Sequence, residues 1–194
     1  MAMPVEIRTT EIPGILEVNV KVFSDMRGFF TETYNIDIWR EKGFTEIFVQ
    51  DNLSLSAKGT LRGMHYQIDP HPMGKLVRAI KGAVFDVAVD LREGSPTFGK
   101  WIGRELSAEN NLILWIPSGF AHGFVALEDD TLVYYKCSGT HSPECERSLS
   151  YKDPSVGIEW PLEPTLITEK DANAPNIENA EHNVVYRAQE NMDV

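Results

Sequence analysis

The sequence predicts an all-β fold, a sandwich or barrel of many short strands, on three observations. Apolar and polar residues alternate over several short windows, Gly- and Pro-bearing turns separate those windows at close spacing, and helical periodicity is scarce. With 194 residues, 42% hydrophobic and 24% charged, the chain is long enough to close a core without disulfide or metal staples. One domain over 1–194 is expected, with a core from about 45 to 165 and terminal extensions packed on it.

Taken in order, Leu16, Val18, Val20 and Val22 alternate with Glu17, Asn19 and Lys21, the period of a half-buried strand. Asn35 can cap a helix over 36–42. A short apolar run follows at 47–50, then a polar, strand-like stretch over 61–67 whose pleat would project Leu61, Gly63, His65 and Gln67 to one face. After a run at 76–80 and a Lys81-Gly82 turn, the segment 84–91 places Phe85, Val87, Val89 and Leu91 on one side. Asp86 and Asp90 share the other side with Val84 and Ala88, so one face carries acids. Turns at Glu93-Gly94-Ser95-Pro96 and Ser118-Gly119 punctuate further runs at 112–116, 122–127 and 132–137. Thr168 can cap a short turn through Ala172, and the polar tail from about Asn176 reads as surface.

Acidic residues outnumber basic ones by 29 to 18, a net charge of −11 that repels phosphate backbones and disfavours nucleic acid as a partner. A small anionic ligand stays compatible, because a few cations inside a pocket act locally while salt screens the outer field. The first residues lack a basic segment followed by an apolar one, and no run approaches the roughly 18 apolar residues of a membrane span. A cytoplasmic protein without a membrane partner is expected. Cys137 and Cys145 form neither a disulfide framework nor a zinc knuckle, so both are expected as thiols.

Two polar clusters could carry chemistry. One joins Arg62, His65 and Gln67 to Gly74-Lys75; the other is Pro117-Ser118-Gly119-Phe120-Ala121-His122. The Pro-x-Gly-x-x-His spacing resembles the second motif of the cupin superfamily, whose metal-binding members pair it with His-x-His and Glu upstream. Here that place reads His65-Tyr66-Gln67, and His71 lies in a Pro-rich turn expected to be exposed. Two imidazoles fall short of an ordinary transition-metal shell, so no metal is expected. What remains for a His among Lys, Tyr and Asp is proton transfer: a neutral imidazole accepts a proton at neutral pH when a carboxylate orients it. Asp86 and Asp171 are both candidates for that carboxylate. Either Tyr134 or Tyr135 could act as an acid in a site that stabilises its anion, and Lys75 could supply that stabilisation or polarise a carbonyl oxygen. Arg27, Arg62 and Lys170 are candidates for phosphate.

Together the segments 25–32, 48–52, 62–67, 74–77, 82–90, 94–99, 106–110 and 116–124, with Asp153-Pro154, Trp160-Pro161 and Lys170-Asp171-Ala172, resemble the dTDP-4-dehydrorhamnose 3,5-epimerase family over most of the chain. The resemblance implies a cupin-like jelly roll (a double-stranded β-helix) with a few short helices, working as a homodimer on a nucleotide-sugar without metal or other cofactor. It implies that His65 is the base, with Asp171 its partner and Asp86 a second acid in the pocket, that Tyr135 returns a proton from the opposite face, and that Lys75 stabilises the enolate oxygen. Substrate contacts are implied for Arg27, Glu32, Gln50, Asn52, Arg62, Lys75, His122, Glu146 and Lys170, with Arg27 and Glu32 candidates for the neighbouring subunit's site. The implied reaction inverts C3 and C5 of a nucleotide-linked 4-keto-6-deoxyhexose, turning dTDP-4-dehydro-6-deoxy-D-glucose into dTDP-4-dehydro-L-rhamnose.

The chain departs from the family at two places. His141 stands where a tyrosine commonly stacks on the nucleotide base, and Met73 stands where a glutamine is frequent. An imidazole offers less stacking area than a phenol ring. Single-carbon epimerisation, another nucleotide, a metal-dependent cupin oxygenase and a non-catalytic sugar-nucleotide binder are the competing readings.

Overall fold

The alternating segments pair into two antiparallel sheets in the computed structural model, which describes residues 5–188. In chain order the elements are β1 (Val5–Thr9), β2 (Leu16–Val20), β3 (Val22–Asp25), β4 (Gly28–Thr31), α1 (Ile36–Glu41), β5 (Gln50–Ser56), β6 (Leu61–Gln67), β7 (Lys75–Lys81) and β8 (Ala83–Asp90). They continue with β9 (Trp101–Ser107), β10 (Leu112–Ile116), β11 (Phe120–Ala126), β12 (Thr131–Cys137), β13 (Glu146–Ser148) and α2 (Glu169–Ala172). A six-stranded sheet runs β1-β2-β10-β7-β12-β5, a five-stranded sheet runs β13-β6-β11-β8-β9, and β3-β4 is a separate hairpin. This is the double-sheet architecture of a jelly roll. From β5 to β8 and again from β9 to β13, successive strands switch sheets, so side chains distant in sequence converge between the two layers.

The interior holds Val77, Leu114, Ile116 and Val133 from the larger sheet against Val84, Ala88, Ile102, Phe120 and Phe124 from the smaller. Both outer faces are partly covered. Trp39 and Phe44, from α1 and the loop after it, close over Leu76, Ile113 and Trp115 with edge-to-face ring contacts. Cys145, Leu149, Val156 and Ala180 close over Met64, Val87, Val89 and Ala121. β8 is therefore buried on both sides, and its acid-bearing face is the one turned inward. Cys137 and Cys145 are both free thiols and buried.

The helix caps form as expected: the Asn35 side chain accepts from the backbone N–H groups of Asp37 and Ile38, and Thr168 accepts from that of Asp171. Other expectations shift. The run at 47–50 is not a strand; pairing starts at Gln50, and Ile47 and Val49 are each 57% exposed, because β5 is a sheet edge with an uncovered outer face. The alternation through Val22 breaks at Lys21, where the chain leaves the sheet for the β3–β4 hairpin. The polar tail is held down: Ala180 is buried, and Glu93 exchanges backbone hydrogen bonds with Val184 and Tyr186.

The shift that matters most lies between β6 and β11. His122 opposes His65, yet Phe124 opposes Arg62, so β6 carries one extra residue, a β-bulge. The bulge brings the backbones together at Gly63 and Gly123. A Cβ on Gly63, whose φ is +133°, would lie 2.4 Å from the Gly123 Cα, and a Cβ on Gly123 would lie 2.8 Å from the Arg62 carbonyl oxygen. The extra residue also corrects the expected face: Arg62 and His65, three apart, turn inward together, while Met64 and Tyr66 turn outward.

A methyl group at Gly123 has nowhere to go without parting β6 from β11. We expect Gly123→Ala to cost about 1–3 kcal/mol through overpacking, each kcal/mol lowering Tm by about 2–4 °C in a chain of this size. Thermal unfolding checks it, and an unchanged Tm would mean the strands are free to separate there.

Candidate active site

Between the sheets lies a cleft with two lobes. One, of about 560 Å³, is lined by Arg62, His65, Lys75, His122, Phe124, Tyr135, Lys170 and Asp171 among others. The second, of about 360 Å³, is lined by Gln50, Asn52, Gln67, Met73, His141 and Glu146. His65, Lys75 and Tyr135 line both lobes and so stand at their junction. His65 projects from β6 in the smaller sheet, whereas Lys75 and Tyr135 project from β7 and β12 in the larger, which sets imidazole and phenol on opposing walls.

His65 Nε2 lies 2.6 Å from Asp171 Oδ1. Asp171 is almost wholly buried in α2, where Thr168 caps its backbone N–H and the Gly63 N–H points at its Oδ2 from 3.4 Å. Of the two candidate carboxylates, Asp171 is the one in contact with His65, and Asp86 contacts His122. A carboxylate on Nε2 fixes the hydrogen there and leaves Nδ1 as the free lone pair. Burial holds the His65 pKa below the usual 6.5, outweighing the upward pull of Asp171, and the Lys75 and Lys170 charges add to the depression. Burial moves the Tyr135 pKa the other way, above its usual 10, so the phenol keeps its proton.

Asp86 does not open onto the cleft. It sits fully buried behind His122, its Oδ2 2.8 Å from His122 Nε2, so the expected second acid of the pocket is the partner of a second imidazole. The Lys75 ammonium donates to the His65 carbonyl oxygen at 3.3 Å and lies 3.4 Å from His122 Nδ1. Burial lowers the pKa of Lys75, and burial foremost lowers that of His122.

The remaining candidates divide. Arg62 is anchored to β5 through Ser56 Oγ and the Leu55 carbonyl oxygen, both at 3.0 Å. Gln50 donates to Asn52 Oδ1 and accepts from the His141 backbone N–H, while Lys170 pairs with Glu146 Oε2. His141 sits at the rim, 3.7 Å from Glu146 Oε1. Arg27 and Glu32 are not brought in: Arg27, on the β3–β4 hairpin, pairs with Asp25, and neither residue lines either lobe in this chain. Gln67 has a clamping role that its strand position alone does not announce. Its amide donates to the His71 carbonyl oxygen and accepts from the Ser142 N–H, holding the loop that carries His141. Both imidazoles spend Nε2 on separate carboxylates, and among the described residues no group of three or more His, Cys, Asp or Glu is arranged to hold a metal ion.

The geometry can thus remove a proton from one side of a ligand, donate one from the other and stabilise an anionic oxygen between them. Comparisons with known proteins agree with that chemistry. A sequence model of the family described as dTDP-4-dehydrorhamnose 3,5-epimerase matches residues 9–179. A curated dTDP-4-dehydrorhamnose 3,5-epimerase of Shigella flexneri is 50% identical over 174 residues, 89% of this chain and 96% of that protein. Among solved structures, a dTDP-6-deoxy-D-glucose-3,5-epimerase of Legionella pneumophila in complex with dTDP-4-keto-L-rhamnose superposes with a TM-score of 0.91 at 44% identity, covering 95% of this chain and all of that one. ChmJ, a 3′-monoepimerase of Streptomyces bikiniensis in complex with dTDP-quinovose, superposes with a TM-score of 0.82 at 35% identity, covering 87% of this chain and 86% of that one. With a family match spanning most of its length and relatives this close, the chain belongs to the dTDP-4-dehydrorhamnose 3,5-epimerase family.

Proposed function

We propose that this protein is a metal-independent isomerase that inverts C3 and C5 of dTDP-4-dehydro-6-deoxy-D-glucose, giving dTDP-4-dehydro-L-rhamnose. One observation carries the reading: His65 and Tyr135 come from opposite sheets yet line the same cleft beside Lys75. The C4 ketone makes the hydrogens on C3 and C5 acidic. His65 Nδ1 takes one of them, the C–H electron pair moves into the ring, and the carbonyl becomes an enolate whose oxygen faces the Lys75 ammonium. Tyr135 then delivers a proton to the other face of the same carbon, which inverts it. The imidazolium and phenolate left behind exchange a proton through solvent, and the same cycle serves the second carbon.

Arg62 and Lys170 are the diphosphate-side cations in our reading, and Gln50, Asn52, His141 and Glu146 shape the nucleoside lobe. Arg27 and Glu32 serve the site of a second subunit in a homodimer. In support, the hairpin that carries Arg27 presents Phe29 and Phe30 at 65% and 64% exposure, and the uncovered edge strand presents Leu53 and Leu55 at 61% and 59%. The buried free thiols and acidic surface suit a cytoplasmic enzyme without nucleic-acid or membrane partners. Among the described residues no helix is long and apolar enough to cross a membrane. Inversion at one carbon is the second reading, favoured by the 3′-monoepimerase among the structural relatives and by His141 in the nucleoside lobe.

Incubation with dTDP-4-keto-6-deoxyglucose in heavy water should place deuterium at both C3 and C5, and His65→Ala should slow turnover at least about a hundredfold. Deuterium at one carbon alone would establish the second reading, and a His65→Ala variant with full turnover would remove the proton-transfer mechanism. The pH profile of kcat/KM follows from the two shifts. The rate should fall on the acid side only below the usual imidazole value of 6.5, where His65 gains its proton, and on the alkaline side above 10, where Tyr135 loses its own. An acid limb centred above 6.5 would contradict the assignment of the base. Subunit sharing has its own check: mixing inactive Arg27→Ala and His65→Ala dimers under conditions of subunit exchange should restore about a quarter of wild-type activity, since one intact site forms in each mixed dimer. No recovery would place Arg27 outside the neighbour's site.

A further inference from the structure

Two imidazoles face the cleft, each backed by a carboxylate, and the proton-transfer cycle uses one of these pairs. The second joins β8, β11 and β7 through Asp86, His122 and Lys75, and the fold alone has little use for it. Asp86 is wholly buried on the inward face of β8 between Val84 and Ala88, where an apolar side chain would pack, and its Oδ1 has no hydrogen-bond partner. Burying a carboxylate that way is costly unless the charge is paired.

Its hydrogen bond to His122 supplies the pairing. As a carboxylate, Asp86 only accepts, so the His122 Nε2 at 2.8 Å carries the hydrogen. From the other side the Lys75 ammonium only donates, so the His122 Nδ1 at 3.4 Å must present its lone pair. The two neighbours therefore impose a single tautomer. A second Lys75 hydrogen is taken by the His65 carbonyl oxygen at 3.3 Å, on the strand that carries the base. An ammonium has three hydrogens, and Lys75 lines both lobes, so the third is left for the cleft.

We propose that Asp86 is a positioning residue: acting through His122, it aims the free hydrogen of Lys75 at the place where the sugar's ketone oxygen becomes an enolate. The inference rests on the epimerase reading and deepens it. It also explains why two similar pairs behave differently. At His65 the carboxylate leaves Nδ1 open to substrate, which makes a base; at His122 the same nitrogen is occupied by Lys75, which makes a rest for a cation. Because the device acts on the developing oxyanion, its loss should appear in kcat more than in KM.

Asp86→Asn is the informative change, since the carboxamide keeps the shape but can offer a hydrogen to Nε2. That would move the imidazole hydrogen to Nδ1 and aim it at the ammonium. We expect kcat to fall on the order of a hundredfold with KM nearly unchanged, and the same substitution in a Lys75→Met background to cause no further loss. Equal losses in both backgrounds, or an unchanged kcat, would overturn the proposal. Should the variant unfold, nitrogen-15 NMR of the wild-type protein decides: a hydrogen on His122 Nε2 is expected, and one on Nδ1 overturns it. A wild-type enzyme that exchanges no C3 or C5 hydrogen would instead sink the epimerase reading, while the NMR result would still report on the tautomer.

Discussion

The backbone contact between Gly63 and Gly123 is the constraint on which the cleft depends. Two strands that cross with no side chain between them can accommodate an extra residue in one of them, and that residue turns both Arg62 and His65 inward. The same local geometry points the Gly63 N–H at Asp171, which in turn holds His65. A regular β6 would place Arg62 and His65 on opposite faces, because an odd offset in a pleated strand reverses direction. It would also present a different backbone to α2. His65, Asp171 and Arg62 are therefore tied to one irregularity in the sheet.

Burial then sets the protonation states that the chemistry requires. A charged imidazole and a charged phenolate are both disfavoured away from water, so the same desolvation leaves His65 unprotonated and Tyr135 protonated before substrate arrives. That is the pairing a proton-swapping site needs at rest. The acidic surface does not oppose an anionic nucleotide-sugar inside the cleft, because Arg62, Lys75 and Lys170 act at contact range while the outer charge is screened over roughly 8–10 Å.

Much of this was legible in the sequence, and the exceptions share a cause. The strand alternation of 84–91, the caps at Asn35 and Thr168, and the order of polar motifs depend on local rules, and the structure follows them. Counting by twos failed at Gly63, since a bulge is decided by what the opposing strand allows, and that strand lies sixty residues away at Gly123. The apolar run at 47–50 misled because exposed Ile47 and Val49 look like core in a one-dimensional reading. Asp86 reads from sequence as an acid sharing one strand face with Asp90, but its partner His122 belongs to another strand, and only the register of β8 with β11 brings them together.

Sequence also kept separate two kinds of residue that the fold separates physically. The residues proposed for proton transfer, His65, Lys75 and Tyr135 with Asp86 and His122 behind them, stand on paired strands whose neighbours hold each backbone on both sides. His141 and Met73, where the chain departs from the family pattern, lie on loops outside the strands; Gln50 and Gln67 accept from the His141 and Ser142 N–H groups, and Gln67 also donates to the Thr140 carbonyl oxygen. A loop held chiefly through its backbone groups can change its side chains without moving a strand, whereas a change under His65 must pass through the Gly63–Gly123 contact. Substrate choice can therefore drift at the rim while the chemistry at the junction of the lobes stays fixed.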